Sequence, residues 1–165
     1  WGKKVWQTPP TKGELDISYQ KYDEAHELIE YFVEQALAQH QKAFVLDLHT
    51  YSYKRQMFGN KSSSLPVFNL GTTSLDRKKH SKEVDGLLAE LRKLHLKGVD
   101  VTVAENDVFK GDGAIVKNIV SKFPEALLLP LDIKKVFMDE QSGKIDEVVS
   151  KELRAAVSAI VRKLI

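Results

Sequence analysis

The sequence predicts a single α/β domain: a three-layer sandwich in which a mixed, mostly parallel sheet is flanked by helices. Two observations carry this reading. Apolar residues at helical spacing alternate with short apolar runs of strand length, in the order helix, strand, strand, helix, strand, helix, strand, helix. The chain has 165 residues, an ordinary size for one domain with one core, and no internal repeat or low-complexity stretch divides it.

Each element has its own signature. Residues 1–16 carry Pro9, Pro10 and Gly13 and read as an irregular arm. Trp1, Val5 and Trp6 are large for a loose tail, so this arm is expected to pack on the domain. A long helix is predicted from about Ser18 to Gln39, because Tyr22, Ala25, His26, Ile29, Phe32, Val33, Ala36 and Leu37 form one apolar stripe. Ala43 to Leu48 reads as a buried strand. GNKSSSL at 59–65 has loop composition. Pro66 to Leu70 is a short strand closed by Gly71. A helix is predicted from Ser81, as its N-cap, to Lys97, with Val84, Leu87, Leu88, Leu91 and Leu94 inward and Gly98 as the stop. Val99 to Ala104 alternates as a strand should. ENDVFKGDG at 105–113 is a glycine-containing loop. A helix at 114–122 ends before Pro124, Ala126 to Ile133 is the most apolar strand, and a last helix is predicted from Ile145 to Leu164.

Composition narrows the function. Hydrophobic residues make up 42% and charged residues 29% of the chain, as in ordinary globular domains. A net charge of only +2 gives no nucleic-acid footprint. There is no cysteine, which removes thiolate metal sites and cysteine nucleophiles. That agrees with a reducing compartment, and a cytoplasmic location is the expectation. No apolar run approaches the ~18 residues of a membrane span. The arm lacks the apolar core of a signal peptide. The chain begins with Trp1 and not with methionine, so Trp1 is not expected to be the start of the gene product.

Ligands of open α/β sheets bind beyond the carboxyl ends of the strands, so the residues there are the candidates. They are Asp47, His49, Thr50, Tyr51, Tyr53 and Arg55, then Asn69, Gly71 and Thr72, then Glu105, Asn106 and Lys110, then Asp132, Lys134 and Lys135. A neutral imidazole at a strand end is a ready zinc ligand. Asp47 precedes His49 by two, so both side chains point to one face of the strand. Asp47 then either ligates beside His49 or holds its ring; the plain alternative is a hydrogen-bonded structural histidine. A catalytic zinc site takes about three protein ligands, and spacing alone does not complete the set. His80 and Glu83 share an H-x-x-E spacing, but they fall at a helix start and are set aside. His26 is expected to be a buried, satisfied core histidine. His40 and His95 read as surface or helix-end residues. Asp132 follows ALLLPL, where an acid is costly unless it is paired or functional. It is either the partner of a lysine or a general base. Arg55, Lys54 and Lys110 are candidate anchors for an anion, with Lys54 better read as surface charge. Gly111 and Gly113 fall short of a phosphate-binding fingerprint.

Several segments together resemble the N-formylglutamate amidohydrolase family. That family has segments of the types D-L-H-S-Y-N-Y-R-R, N-L-G-T, N-x-x-F-K-G-G and E-x-K-K-x-F-M-D-E. Here, in the same order, stand DLHTYSYKRQ (47–56), FNLGT (68–72), ENDVFKGDG (105–113) and LDIKKVFMDE (131–140). WGKKVWQTPP and YQKYDEAHELI are similar to it as well. The resemblance implies a phosphorylase/hydrolase-like fold related to zinc carboxypeptidases. It implies hydrolysis of N-formyl-glutamate to formate and glutamate, and zinc as cofactor. By the same resemblance His49 is a zinc ligand, Asp132 is the general base and Arg55 is a candidate for holding a substrate carboxylate. Their positions past the strand ends add Asp47 to the expected metal ligands, and Tyr53, Asn106 and Lys110 to the residues expected to hold a small acidic substrate. The family's first metal ligands precede its W-G-K segment, so residues 1–165 are expected to be the C-terminal portion of such a domain. Asp132 stands where the family has Glu, and the ~1 Å retreat of a shorter side chain can cost about 100-fold in rate. Asp112 stands where the family has Gly. Two rival readings follow: a catalytically impaired remnant that binds a small anion or a protein, and a carboxypeptidase acting on peptides.

Overall fold

The computed structural model describes residues 4–54 and 64–164. Helix α1 (Lys12–His40) leads into strand β1 (Ala43–Tyr51), followed by β2 (Phe68–Leu70), α2 (Ser81–Arg92), β3 (Val103–Glu105), α3 (Ala114–Lys122), β4 (Ala126–Lys134) and α4 (Glu147–Leu164). The order of elements is the one the sequence predicts.

The four strands lie in the order β1-β4-β2-β3. β1 and β4 are parallel over nine residues, β2 and β3 are parallel, and the two pairs meet antiparallel between β4 and β2. Side-chain alternation along β4 divides the core in two. Leu127, Leu129, Leu131 and Ile133 face α2 and α4, in a cluster with Leu87, Leu88, Leu91, Leu153 and Ile160. Ala126 and Leu128 face α1 and α3, in a cluster with Val33, Val116 and Ile119. The result is three layers, each fully buried leucine contributing about 1.5–3 kcal/mol.

Local chemistry shifts several element ends. α1 begins at Lys12, six residues before its predicted start at Ser18, because Thr11 and Glu14 form a capping box: the Thr11 N–H donates to Glu14 Oε2 at 2.7 Å and the Glu14 N–H to Thr11 Oγ1 at 3.3 Å. In the preceding arm, Val5, 85% exposed, and Trp6, 61% exposed, do not pack as expected; Trp1 lies outside the described residues. Of the predicted α1 stripe, Val33 is buried and Ile29, Ala36 and Leu37 pack on the sheet, while Tyr22 and Phe32 stay exposed. α2 is preceded by His80 and not capped by the Ser81 side chain; Asp76 Oδ1 instead accepts from the Lys78 and Lys79 N–H groups. α2 stops at Arg92. Gly98, at φ +71, serves a tight turn between Leu96 and Val99 rather than a helix end. Asp146 Oδ1 accepts from Val148 and Val149, which starts α4 two residues later than predicted. Among the described residues no helix is long and apolar enough to cross a membrane.

Candidate active site

Parallel pairing sets β1 against β4 with His49 opposite Asp132. The antiparallel pair sets Asn69 of β2 opposite the same Asp132. Since Leu131 and Ile133 face α2 and α4, Asp132 faces the other way, and so do Asn69, His49, Asp47, Tyr51 and Lys134 by the same period of two. One face of the sheet, past the point where α1 and α3 cover it, therefore collects two acids, an imidazole, a phenol, a buried amide and a buried ammonium.

The contacts follow from this register. His49 Nε2 lies 2.7 Å from Asp47 Oδ1; the imidazole is 55% exposed and the carboxylate 21%. Asp132 is half-buried and its carboxyl titrates above the usual carboxylate range. Burial is the main cause and nearby Asp47 adds to it, while the His49 imidazole and the Asn69 amide oppose it. Tyr51 is buried, its hydroxyl donates to the Pro66 carbonyl, and burial pushes its ionisation upward. The Lys134 ammonium donates to the Leu65 carbonyl at 3.0 Å and sits 4.5 Å from the centre of the Tyr53 ring. Burial holds its pKa below the ordinary lysine value. The Tyr53 N–H donates to Glu140 at 2.7 Å, and Lys54 pairs with Asp139 at 3.4 Å. The segment after β4 thus runs beside the segment after β1.

The prediction that all four strand ends open on one crevice fails in one respect. β2 and β3 run against β4, so their carboxyl ends point away from those of β1 and β4. The 105–113 loop makes up for this by folding back. It reverses at Asn106, whose φ is +58. It crosses the end of β2 where Gly71 and Gly111 touch backbone to backbone. Its Phe109 ring then meets the Tyr51 ring edge-on, centroids 5.5 Å apart. Asn106 and Lys110 hold this crossing: Asn106 Oδ1 accepts from the Thr72 N–H at 2.7 Å, and the Lys110 carbonyl accepts from the Thr73 N–H at 3.0 Å. The Lys110 ammonium donates to the Asn106 carbonyl. Glu105 accepts from Arg77 at 2.8 Å and from Thr72 at 2.5 Å, which lowers its pKa, with Arg77 the larger cause.

Of the predicted site residues, Asp47, His49 and Asp132 come together and Tyr53 lies close by through Lys134. Asn106 and Lys110 build the loop crossing, and Arg55 lies outside the described residues. Asp47 and His49 fit a zinc ion in donor type, and their 2.7 Å separation lets both reach one ion. They fall one short of the usual number: among the described residues no group of three or more such donors converges. Asn69, Tyr51 and Lys134 gain a prominence that spacing alone did not give them. The signal was present for Tyr51 and Lys134, each two residues past His49 or Asp132 on the same strand; Asn69 is placed only by the β2–β4 register.

His26 is not the satisfied core histidine expected. Its ring lies 4.2 Å from that of Tyr22, and its Nε2 is buried without a partner among the described residues. It lines a groove of about 460 Å³ between α1 and α3, with Glu30, Asn118 and Lys122. That groove includes none of Asp47, His49 and Asp132.

The family model for N-formylglutamate amidohydrolase matches residues 2–133. The fold is similar to the crystal structure of N-formylglutamate amidohydrolase from Ralstonia eutropha JMP134, with a TM-score of 0.72 at 23% identity over 96% of this chain. The chain spans 57% of the length of that solved structure. No curated protein matches the chain.

Proposed function

The chain belongs to the N-formylglutamate amidohydrolase family, and on that footing we propose that it removes the formyl group from a small acidic N-formyl amino acid such as N-formyl-glutamate. The observation that carries the proposal is the register that sets His49, Asp47's neighbour, opposite Asp132 on one face of the sheet. A half-buried carboxyl whose pKa is raised above the usual carboxylate range by burial is suited to take and return a proton.

In the proposed step Asp132 takes a proton from a water molecule whose oxygen attacks the formyl carbon. The carbon–nitrogen bond then breaks, and Asp132 returns the proton to the departing nitrogen. Formyl amide and water thus become formic acid and amine; the acid's proton then passes to the amine, leaving formate and an ammonium group, so atoms and charge balance. Asp47 and His49 are the residues we propose for zinc. Zinc at such a pair supplies Lewis acidity toward an amide carbonyl. For the substrate's carboxylates we propose Arg55, with Tyr53 beside Lys134, and a rim formed by Asn106 and Lys110.

The test is direct. Zinc-loaded protein is offered N-formyl-glutamate, N-acetyl-glutamate and a panel of short peptides, and formate, acetate and free amine are measured. Formate from the first substrate is the expected result. No formate from metal-replete protein, or cleavage of peptides alone, refutes the reading.

A further inference from the structure

We propose that Asn69 is a positioning residue: it fastens the 107–109 segment over the face of the sheet that carries Asp132 and thereby holds that side chain in one orientation. The catalytic meaning of this rests on the role proposed above for Asp132; the structural meaning does not.

Asn69 occupies a place where an apolar residue is the default. It is fully buried between Phe68 and Leu70, both in the core. An amide there is costly unless its hydrogen-bonding groups are filled. Nearly all are, and by one short segment. Its Oδ1 accepts from the Asp107 N–H at 3.0 Å and the Val108 N–H at 2.9 Å, and its Nδ2 donates to the Phe109 carbonyl at 2.9 Å. An amide has two Nδ2 hydrogens. The second remains for the side chain opposite in the register, Asp132, whose ionised form the Asn69 amide favours.

The path continues on the other side. The segment that Asn69 grips ends in Phe109, whose ring meets Tyr51, two residues beyond His49. The 107–109 segment thus reaches from β2 to the end of β1, across the strand that carries Asp132. Asn69 joins that segment to the sheet from beneath. A leucine at this position would fill the space, yet it would leave two N–H groups and one carbonyl without their partner.

The experiment reads the Asp132 side chain itself. Three-bond couplings from the backbone nitrogen and carbonyl carbon to Asp132 Cγ report its χ1 by NMR, and exchange rates report the Asp107 and Val108 amides. The wild-type protein should show one χ1 rotamer and slow exchange at both amides. Asn69→Ala should average the couplings and speed exchange at both amides about tenfold or more. Asn69→Ser, which keeps one hydroxyl, should give smaller changes and serves if the alanine variant does not fold. Kinetics add a readout that a merely structural role would not move. Asn69→Ala should lower kcat with little change in KM, and should have no further effect in an Asp132→Ala background, because the two residues act as one unit.

A folded Asn69→Ala protein with one unchanged Asp132 rotamer overturns the proposal, and so do additive effects in the double mutant. If neither variant folds, the wild-type couplings decide: averaged values overturn it, and a single rotamer with protected amides supports it. If the wild-type protein releases no formate, the hydrolase reading fails, and the rotamer result alone then decides the role of Asn69.

Discussion

Gly71→Ala should be a costly single-methyl change. A Cβ built on Gly71 would lie 2.4 Å from the Gly111 nitrogen, 2.5 Å from its Cα and 2.9 Å from the Lys110 carbonyl carbon. Carbon contacts become favourable only beyond about 3.5 Å, so the two backbones must separate by about 1 Å. Neither side yields easily. The β2 end is fixed by the Gly71 N–H to the Pro130 carbonyl at 3.0 Å. The loop is fixed by Thr72 to Asn106, Thr73 to Lys110, and Asn69 to residues 107–109. Relief requires losing two or three of these bonds at about 1 kcal/mol each, within the range of ~1–3 kcal/mol for overpacking. A cost of about 2–3 kcal/mol corresponds to a Tm drop of about 5–10 °C in a domain of this size. Urea titration read by circular dichroism measures it, and the m-value should be unchanged. A variant within ~0.5 kcal/mol of wild type would show that the crossing is soft, and that the loop does not depend on the two glycines.

Three further outcomes are expected. Gly86→Ala, in the middle of α2 with nothing within 4 Å of the new Cβ, should stabilise by up to about 1 kcal/mol, read as a rise in Tm. Asp132→Asn should lower formate release by about 10²–10⁴-fold while raising stability at pH 8. The Asp132 pKa is raised in the fold, so that contribution to stability is present below the unfolded value and is lost as pH rises through the folded one. The two unfolding curves should therefore converge near pH 4. Glu105→Gln should have the opposite pH signature. Arg77 and Thr72 lower the Glu105 pKa, so its stabilisation, about 1–2 kcal/mol for a partly exposed pair, is present above the unfolded value and vanishes as pH falls through the folded one. Denaturant midpoints between pH 3 and 8 would separate the two variants.

Much of this arrangement is legible in the sequence because two periods write it. The period of two in β1 and β4 puts Asp47, His49 and Asp132 on matching faces once the strands pair in register, and the apolar stripes of α2 and α4 name the opposite layer. The direction of β2 is not legible. FNL is three residues long, equally apolar on either course, and nothing local states whether it runs with β4 or against it. The reach of α1 was hidden for a different reason. Its first two turns follow a capping box and carry few inward residues, so hydrophobic spacing alone starts the helix too late. The arm misled because Trp6 and Val5 are large and apolar, a property that states no partner; both stay exposed.

The reversed β2–β3 pair also explains why the site needs the loop it has. In a wholly parallel sheet each strand end would deliver its own polar residues to one crevice. Here two of the four strands end on the far side, so apart from Asn69, which faces Asp132 from within β2, anything from β2 or β3 must arrive by folding back. A return path across the sheet has to bury backbone polar groups, and each needs a partner. That requirement accounts for a fully buried asparagine inside an apolar strand, for two glycines at van der Waals contact where the path crosses β2, and for a positive φ at Asn106 where it turns. It follows that damage to the crossing at Gly71, a residue with no side chain to offer a substrate, should reach Asp132. Gly71→Ala should therefore lower formate release more than its loss of stability predicts when both are measured at 20 °C on fully folded protein. Equal activity per folded molecule would show that Asp132 keeps its place without the loop.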